Sequence, residues 1–337
     1  TLPRRAELVL AACMALAAGA AFGQQQRPTG FEPAIKTASA MPRLRSLLVN
    51  QRGKLVLERY FHGASASRPA NVKSVSKSMI SALVGIALER KLIPGVSSPI
   101  APYFPEIAGA DAVKRKITIE HLLTMQTGLG STSGRNYGAW VRSPNWVRFA
   151  LGRPVVDSPG GAMIYSTGSF HLLSAVLTKV SKKSTWELAN EVLSKPLGFT
   201  LAKWPQDPQG IYLGGNEMLM TPRQMAAFGE LYLRRGRAGG RQVVPEGWIE
   251  ASWTPRTISP WSEQFYGYGW WMRELAGRPS YFAWGYGGQF IFVVPSLESV
   301  VVVTSSVSPG ADRREHMRRI YGLVEGLVAG PLSEASN

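Results

Sequence analysis

Ser74 and Lys77 lie three residues apart in the chain's only S-x-x-K tetrapeptide. At the start of a helix this spacing puts a hydroxyl and an amine on one face, where they can share a hydrogen bond. A lysine that burial keeps neutral part of the time can accept the serine proton, and the serine oxygen can then attack a carbonyl carbon. The pair predicts nucleophilic catalysis. The structural alternative is that Ser74 caps a helix and Lys77 extends along its surface.

Two later segments carry groups that suit the same chemistry. Tyr165 and Thr167 end a Gly- and Pro-containing loop, and Trp284-Gly285-Tyr286-Gly287-Gly288-Gln289 leads into an apolar run. A lysine ammonium beside Tyr165 would favour the phenolate, so Tyr165 is expected to pass a proton to a leaving group. A glycine-rich strand edge lets backbone amides approach a substrate closely. The alternatives are an ordinary buried tyrosine and a bulge or tight turn.

The elements that must position these groups follow from hydrophobic periodicity. Period-two and β-branched runs predict strands, whereas apolar residues three and four apart predict helices. The predicted strands are residues 44–50, 55–61, 266–272, 281–284, 289–294 and 299–305, and the predicted helices are residues 74–92, 118–125, 169–180, 185–193, 221–233 and 313–328.

This order predicts an α+β fold. An N-terminal hairpin and the C-terminal strands would form one antiparallel sheet, flanked by the first and last helices. Residues 40–95 and 240–330 would make up this sheet lobe, and residues 100–236 an inserted, mostly helical lobe. Together they form a single domain over residues 24–337.

The ordered motifs resemble those of the serine β-lactamase and penicillin-recognising superfamily. Within it, the chain is most similar to the branch of class C β-lactamases, D-alanyl-D-alanine carboxypeptidases, β-lactamase-fold esterases and 6-aminohexanoate-dimer hydrolase. Besides the three segments above, the resemblance rests on residues 117–128, 219–226 and 243–248, and it covers nearly the whole chain after residue 23.

The resemblance implies a role for each matching residue. Ser74 would be the acylated nucleophile, Lys77 its base partner and Tyr165 the second proton-transfer residue. The backbone amides of Ser74 and Gln289 would form the oxyanion hole. The fold implied is a β-lactamase-like sheet with helices on both faces and a helical lobe, with the site between them.

Two departures from the family motifs bear on the substrate. Thr167 stands where β-lactamases have the Asn of Tyr-x-Asn, and Tyr286-Gly287-Gly288 replaces Lys-Thr-Gly. The cation that would hold a substrate carboxylate is therefore missing, and a small ester or amide without that group is the expected substrate. Its predicted binding residues are Thr167, Trp284, Tyr286, Gly287 and Gly288, with Trp140 as a further pocket aromatic. The alternatives are a β-lactamase or carboxypeptidase, and a non-catalytic homologue that binds cell wall.

The first residues predict export. Arg4 and Arg5 precede an apolar run, Leu8 to Phe22, followed by a small-x-small site ending at Gly23, so residues 1–23 are interpreted as a signal peptide. The protein is expected in the periplasm or secreted, and a lipoprotein signal at Cys13 is less favoured. No later run reaches the roughly 20 apolar residues of a membrane span. Removal of the chain's one cysteine would leave no thiol chemistry.

The composition and the motifs present in the sequence disfavour nucleic-acid-binding proteins, Ser-His-Asp hydrolases and zinc hydrolases. The net charge of +16 would attract anionic polymers, but export and the lack of a nucleic-acid-binding motif disfavour nucleic acid. No G-x-S-x-G elbow accompanies the four histidines, and no H-E-x-x-H motif indicates zinc. The sequence therefore predicts a hydrolase that uses no metal and no organic cofactor.

Overall fold

The computed structural model describes residues 30–108 and 112–335. Eight strands form one antiparallel sheet, in the order β2-β1-β12-β11-β10-β9-β8-β7, and two small two-stranded sheets pair β3 with β4 and β5 with β6. The strands are β1 (Leu44–Gln51), β2 (Lys54–Tyr60), β3 (Ala70–Asn71), β4 (Leu219–Met220), β5 (Arg237–Ala238), β6 (Arg241–Gln242), β7 (Thr257–Ile258), β8 (Phe265–Tyr266), β9 (Trp271–Leu275), β10 (Arg278–Gly285), β11 (Gln289–Val294) and β12 (Ser299–Ser305).

Helices account for most of the remaining structure. The α-helices are α1 (Glu32–Ser39), α2 (Ser76–Glu89), α3 (Pro105–Ala108), α4 (Ala112–Arg115), α5 (Ile119–Leu123), α6 (Tyr137–Val141), α7 (Trp146–Leu151), α8 (Thr167–Ser181), α9 (Thr185–Ala189), α10 (Pro222–Leu233), α11 (Glu246–Ser252), α12 (Arg313–Ala329) and α13 (Pro331–Glu334). A π-helical stretch, Asn190–Ser194, continues α9, and a 3-10 turn, Lys73–Val75, precedes α2.

The sheet is covered on both faces because its central strands are apolar on both faces. All six residues of β11 and all seven of β12 are buried, as expected of strands that helices cover from two sides. On one face Tyr321 of α12 packs against Phe282 and Phe290. On the other, α10 lies so close that a Cβ on Gly229 would come within 2.5 Å of Val300. The predicted α+β architecture is confirmed.

The strands and helices predicted by range agree broadly with the structure, and three differences bear on the architecture. The lead before residue 42 contains a helix, α1, that periodicity did not indicate. The strand predicted over residues 266–272 is two strands, β8 and β9, because residues 267–270 form a turn closed by a hydrogen bond from Gly267 N to Trp270 O. Helix α10 packs on the sheet although the sequence placed residues 221–233 in the helical lobe.

The segment interpreted as a signal peptide, residues 1–23, lies outside the described residues. Among the residues that are described, no helix combines the length and apolar character needed to cross a bilayer.

Candidate active site

Ser74 lies in the middle of the 3-10 turn that leads into α2. Lys73, immediately before it, has a φ of +51°, in the left-handed region that residues other than glycine seldom adopt. This backbone geometry turns the chain sharply between β3 and α2. Ser74 thereby lines a cavity of about 390 Å³ at the junction of the sheet and the helical region.

Lys77 is buried directly beside Ser74. Its side chain is on the first turn of α2, and the residue is 2% exposed. Nζ lies 2.9 Å from Ser74 Oγ, 2.6 Å from the carbonyl oxygen of Gly215 and 3.4 Å from Thr167 Oγ1. Burial lowers the pKa of Lys77 well below its usual value, because the ammonium form loses its hydration. A neutral amine here can donate to Gly215 and accept the Ser74 proton.

Tyr165 closes the other side of the reactive pair. The Lys77 Nζ lies 4.9 Å from the centre of the phenol ring. Trp271 stacks on this ring with centroids 6.2 Å apart, and Trp261 meets it edge-on at 6.1 Å. Desolvation raises the pKa of Tyr165 to about 12, and a hydrogen bond with Ser74 only partly opposes the rise.

The expectation that Lys77 would favour the Tyr165 phenolate is therefore wrong for the free protein. That expectation assumed a charged ammonium, whereas burial disfavours the charged form of both groups at once. Burial thus shifts the two pKa values toward an amine and a phenol, which suits Lys77 as the proton acceptor and Tyr165 as a proton donor.

Thr167 is tied to the site by a loop residue that the sequence analysis did not select. Its hydroxyl lies 3.0 Å from Ser133 Oγ, and its backbone N–H donates to the same oxygen at 2.8 Å. Thr167 begins α8, so Ser133 satisfies an amide of that helix's first turn. Ser133 also lines the cavity. No sequence signal identified it, because its loop has no periodicity.

Gln289 begins β11 opposite Gly285, the last residue of β10. A Cβ on Gly285 would be 2.2 Å from the carbonyl oxygen of Val72 and 3.1 Å from the Cβ of Lys73, so glycine alone lets this strand end reach the turn that carries Ser74. The Gln289 side chain is directed to Ser305, donating to its carbonyl at 2.7 Å. This arrangement brings the Gln289 backbone to the Ser74 turn, and the oxyanion hole stays a prediction.

Gly287 and Gly288 do not line the cavity, contrary to the sequence prediction. They form the turn between β10 and β11, with φ values of +85° and +104°. A Cβ on Gly288 would point at Ile320 and Ser305, away from Ser74. Both glycines therefore shape the turn. Tyr286, which lies between Gly285 and Gly287, is the residue that lines the cavity.

Five of the twelve residues that line the cavity are aromatic. Trp284 and Tyr286 contribute to it as predicted residues, but Trp140 does not, because it is fully buried between Tyr137 and Trp146. The complete lining is Lys73, Ser74, Ser133, Gly134, Tyr137, Tyr165, Thr167, Asn216, Glu217, Trp261, Trp284 and Tyr286.

Two of the residues that line the cavity, Lys73 and Glu217, form an ion pair with each other. Lys73 Nζ lies 2.7 Å from Glu217 Oε1, with both side chains about one-fifth exposed. Beside it, Asn216 donates to the Tyr137 hydroxyl at 2.8 Å. Neither group was predicted, since nothing in the sequence links residues 216 and 217 to the S-x-x-K segment.

The histidines have other partners. His171 forms a fully buried pair with Asp207 at 3.0 Å, His316 is 2.9 Å from Ser305 Oγ, and His121 completes a helix capping box with Thr118. Within residues 30–108 and 112–335, no group of three or more His, Cys, Asp and Glu side chains is arranged to hold a metal ion.

Comparisons with known proteins find one matching family model and a similar curated protein. A family model described as beta-lactamase matches residues 45–325. The 6-aminohexanoate-dimer hydrolase of Paenarthrobacter ureafaciens is 26% identical over 351 residues, covering 92% of this chain and 86% of that protein.

Solved structures show the same fold. A penicillin binding protein from Bacillus halodurans has a TM-score of 0.69 at 15% identity, covering 86% of this chain and 99% of that chain. EstCE1, a hydrolase with promiscuous acyltransferase activity, has a TM-score of 0.69 at 17% identity, covering 89% of this chain and 97% of that one.

Proposed function

The chain belongs to the beta-lactamase family, and from this premise we propose that it is a serine hydrolase that cleaves an ester or amide bond through an acyl-enzyme on Ser74. The observation that carries the proposal is the 2.9 Å contact between Ser74 Oγ and a lysine amine that burial holds toward its neutral form. A hydroxyl next to an uncharged amine in a cavity is an activated nucleophile.

The geometry suits a two-step reaction. In acylation, the Ser74 oxygen bonds to the substrate carbonyl carbon while Lys77 takes the hydroxyl proton. Tyr165 donates its proton to the departing oxygen or nitrogen as that bond breaks, and Lys77 can restore the phenol. In deacylation, water adds to the acyl carbon, the same pair accepts its proton, and the Ser74 oxygen leaves with a proton.

We propose that the substrate is a small, largely apolar ester or amide. The cavity wall includes the aromatic rings of Tyr137, Trp261 and Trp284, and its one cation, among the described lining residues, is already paired with Glu217. An aromatic wall favours apolar groups and supplies little to hold a free carboxylate. The name of the Paenarthrobacter relative, a dimer hydrolase, adds support for an amide.

The test compares purified wild-type protein with Ser74→Ala on p-nitrophenyl butyrate, the apolar amide butyranilide and a chromogenic cephalosporin. We expect turnover of the ester or the amide that falls at least about 10³-fold in the variant, because the nucleophile is lost. Ser67→Ala, at an exposed serine, is the matched control and should retain full activity.

Three outcomes would contradict the proposal. Full activity of Ser74→Ala would rule out the acyl-enzyme, and turnover of the cephalosporin alone would make the protein a β-lactamase. Absence of turnover of all three substrates by the wild-type protein would favour the non-catalytic cell-wall-binding alternative.

We also propose that the protein is exported. The support is the sequence pattern of residues 1–23, a basic start followed by an apolar run and a small-residue site.

A further inference from the structure

Two residues beside the reactive pair have unusual backbone conformations. Lys73, next to Ser74, has a φ of +51°, and Glu217, two residues after Gly215, has a φ of +69°. For residues with a Cβ this region costs free energy, and it persists only where surrounding contacts hold it. The two strained positions lie on separate segments, yet their side chains meet at 2.7 Å in the cavity wall.

Asn71 holds both strained positions. Its Oδ1 accepts a hydrogen bond from the backbone N–H of Lys73 at 3.1 Å, and its Nδ2 donates to Glu217 Oε2 at 2.5 Å. Glu217 thus uses one carboxylate oxygen for Lys73 and the other for Asn71. These three residues, the Asn71–Lys73–Glu217 cluster, form a closed set of contacts.

The cluster joins the two backbone segments that contact Lys77. One segment carries Ser74, and the other carries the Gly215 carbonyl that accepts from Lys77 Nζ at 2.6 Å. Ser76 adds a bridge, donating to the Lys73 carbonyl at 2.6 Å and accepting from Met218 N at 3.3 Å. Displacing one segment would therefore move the nucleophile and the base relative to each other.

We propose that Lys73 and Glu217, held by Asn71, are positioning residues: they set Ser74 against Lys77 and balance the charge beside the Lys77 amine. The inference rests on the proposed function of the Ser74–Lys77 pair. It assigns the cluster an electrostatic role as well as a structural one. The reason is that Lys73 and Glu217, whose charges are equal in size and opposite in sign, lie on the two segments that contact the Lys77 amine.

The charge balance has a definite sign. Burial lowers the pKa of Lys77, and in a site that contains little water a charge left unpaired nearby shifts this pKa further. Removing the Lys73 charge would leave Glu217 to favour the Lys77 ammonium. Removing the Glu217 charge would leave Lys73 to disfavour it.

The other ionisable groups near Lys77 either keep their protons or have a partner of their own. Tyr165 and Tyr137 hold their protons, since burial raises the pKa of each to about 12. Tyr266, beside Tyr165, also has a raised pKa because it is buried. On α8, which packs against α2, His171 is paired with Asp207 one turn beyond Thr167. The Lys73–Glu217 pair supplies the full charges on the two flanking segments.

The experiment measures the pH dependence of two reactions at Ser74: kcat/KM for p-nitrophenyl butyrate, and the rate of labelling by a fluorophosphonate probe. In labelling, the Ser74 oxygen bonds to phosphorus, fluoride leaves and Lys77 takes the proton, so both reactions fall as Lys77 becomes protonated at low pH. The variants are Lys73→Met, Glu217→Gln, the double variant and Lys73→Arg.

We expect shifts in opposite directions. The acid limb should move up by about one pH unit in Lys73→Met and down by a similar amount in Glu217→Gln. It should return near the wild-type position in the double variant, while Lys73→Arg should keep the wild-type profile. The rates at the plateau should fall in each charge-removing variant, because the strained segments lose a restraint.

Arg223→Met is the matched control, since Arg223 forms an ion pair with Glu58, also at 2.7 Å, on the sheet. It should leave both profiles unchanged. Melting temperatures identify variants that fail to fold, and Glu217→Gln, which keeps its size, tests the direction of the shift if Lys73→Met does not fold.

Shifts in the same direction, or profiles that stay in place among folded variants, would overturn the electrostatic role and with it the inference. Those outcomes leave the proposed function intact if wild-type labelling depends on Ser74. Wild-type protein that neither labels at Ser74 nor turns over ester would overturn both.

Discussion

At the scale of single residues, burial shifts the pKa values of two ionisable groups beside Ser74 toward their uncharged forms. The pKa of Lys77 is lowered and that of Tyr165 is raised to about 12, so near neutral pH the phenol keeps its proton while the lysine can give up its own. A base and an acid beside Ser74 match the two proton transfers of acylation. Neither residue needs to ionise before substrate binds.

Tyr165→Phe tests this division of roles. If Tyr165 protonates the leaving group, the variant should lose about 10²- to 10⁴-fold in kcat on an alkyl ester or amide, whose leaving group needs a proton. The loss should be much smaller on a p-nitrophenyl ester, because p-nitrophenolate leaves without one. Steady-state kinetics on both substrates make the measurement. Equal losses on the two would instead assign Tyr165 to activating Ser74.

At the scale of elements, the site depends on how closely helices approach the sheet. Helix α10 meets the central strands through Gly229, whose missing side chain lets Val300 and Ile291 touch the helix backbone. Phe228 beside it stacks on Trp270, in the turn between β8 and β9. These contacts hold α10 against β12, β11 and β1, and β11 is the strand whose first residue, Gln289, pairs with Gly285.

Gly229→Ala should therefore destabilise the fold. A Cβ would lie 2.5 Å from Val300 Cγ1 and 2.8 Å from Ile291 Cγ2, and such overpacking costs about 1–3 kcal/mol. Gly326→Ala, at an exposed position of α12 where a Cβ meets nothing within 4 Å, is the control. It should stabilise by up to about 1 kcal/mol through helix propensity alone. Urea unfolding of both variants measures the difference, and equal stabilisation would show that α10 can shift away from the sheet.

At the scale of the whole molecule, α12 docks on the sheet partly through a buried histidine. His316 is 3% exposed, and its Nε2 lies 2.9 Å from Ser305 Oγ at the end of β12. Burial, reinforced by the positive charge of Arg43, lowers the pKa of His316 to about 4 from an ordinary value of 6.5. The folded protein therefore binds this proton more weakly than the unfolded chain does.

This difference predicts acid sensitivity. Above pH 6.5, His316 is neutral in both the folded and the unfolded protein. Between pH 6.5 and about 4, His316 binds a proton in the unfolded chain but stays neutral in the folded protein. The contribution of His316 to stability is thus full at pH 7 and above, and it falls as the pH drops toward 4. On acidification, the melting temperature of His316→Gln should fall less than that of the wild type. The two plots of melting temperature against pH should therefore converge. Parallel curves from pH 7 to pH 4 would contradict this.

Much of the fold could be predicted from sequence because its signals are local. Helix periodicity, the hairpin and the β-branched strands depend on neighbours a few residues apart, and the predicted α2, β11 and β12 agree with the structure within a few residues. The S-x-x-K segment is local in the same way: three residues on a helical turn bring Ser74 and Lys77 together whatever surrounds them.

What only the tertiary structure decided involves residues far apart in the chain. The Glu217 partner of Lys73 and the Ser133 partner of Thr167 come from irregular loops, whose conformation has no period to read. The protonation of Tyr165 was misjudged for a related reason: a pKa depends on how much water the assembled fold removes from a group, and burial is a property of the packed molecule. The sequence by itself determined which groups could react, and packing decided their charge and their neighbours.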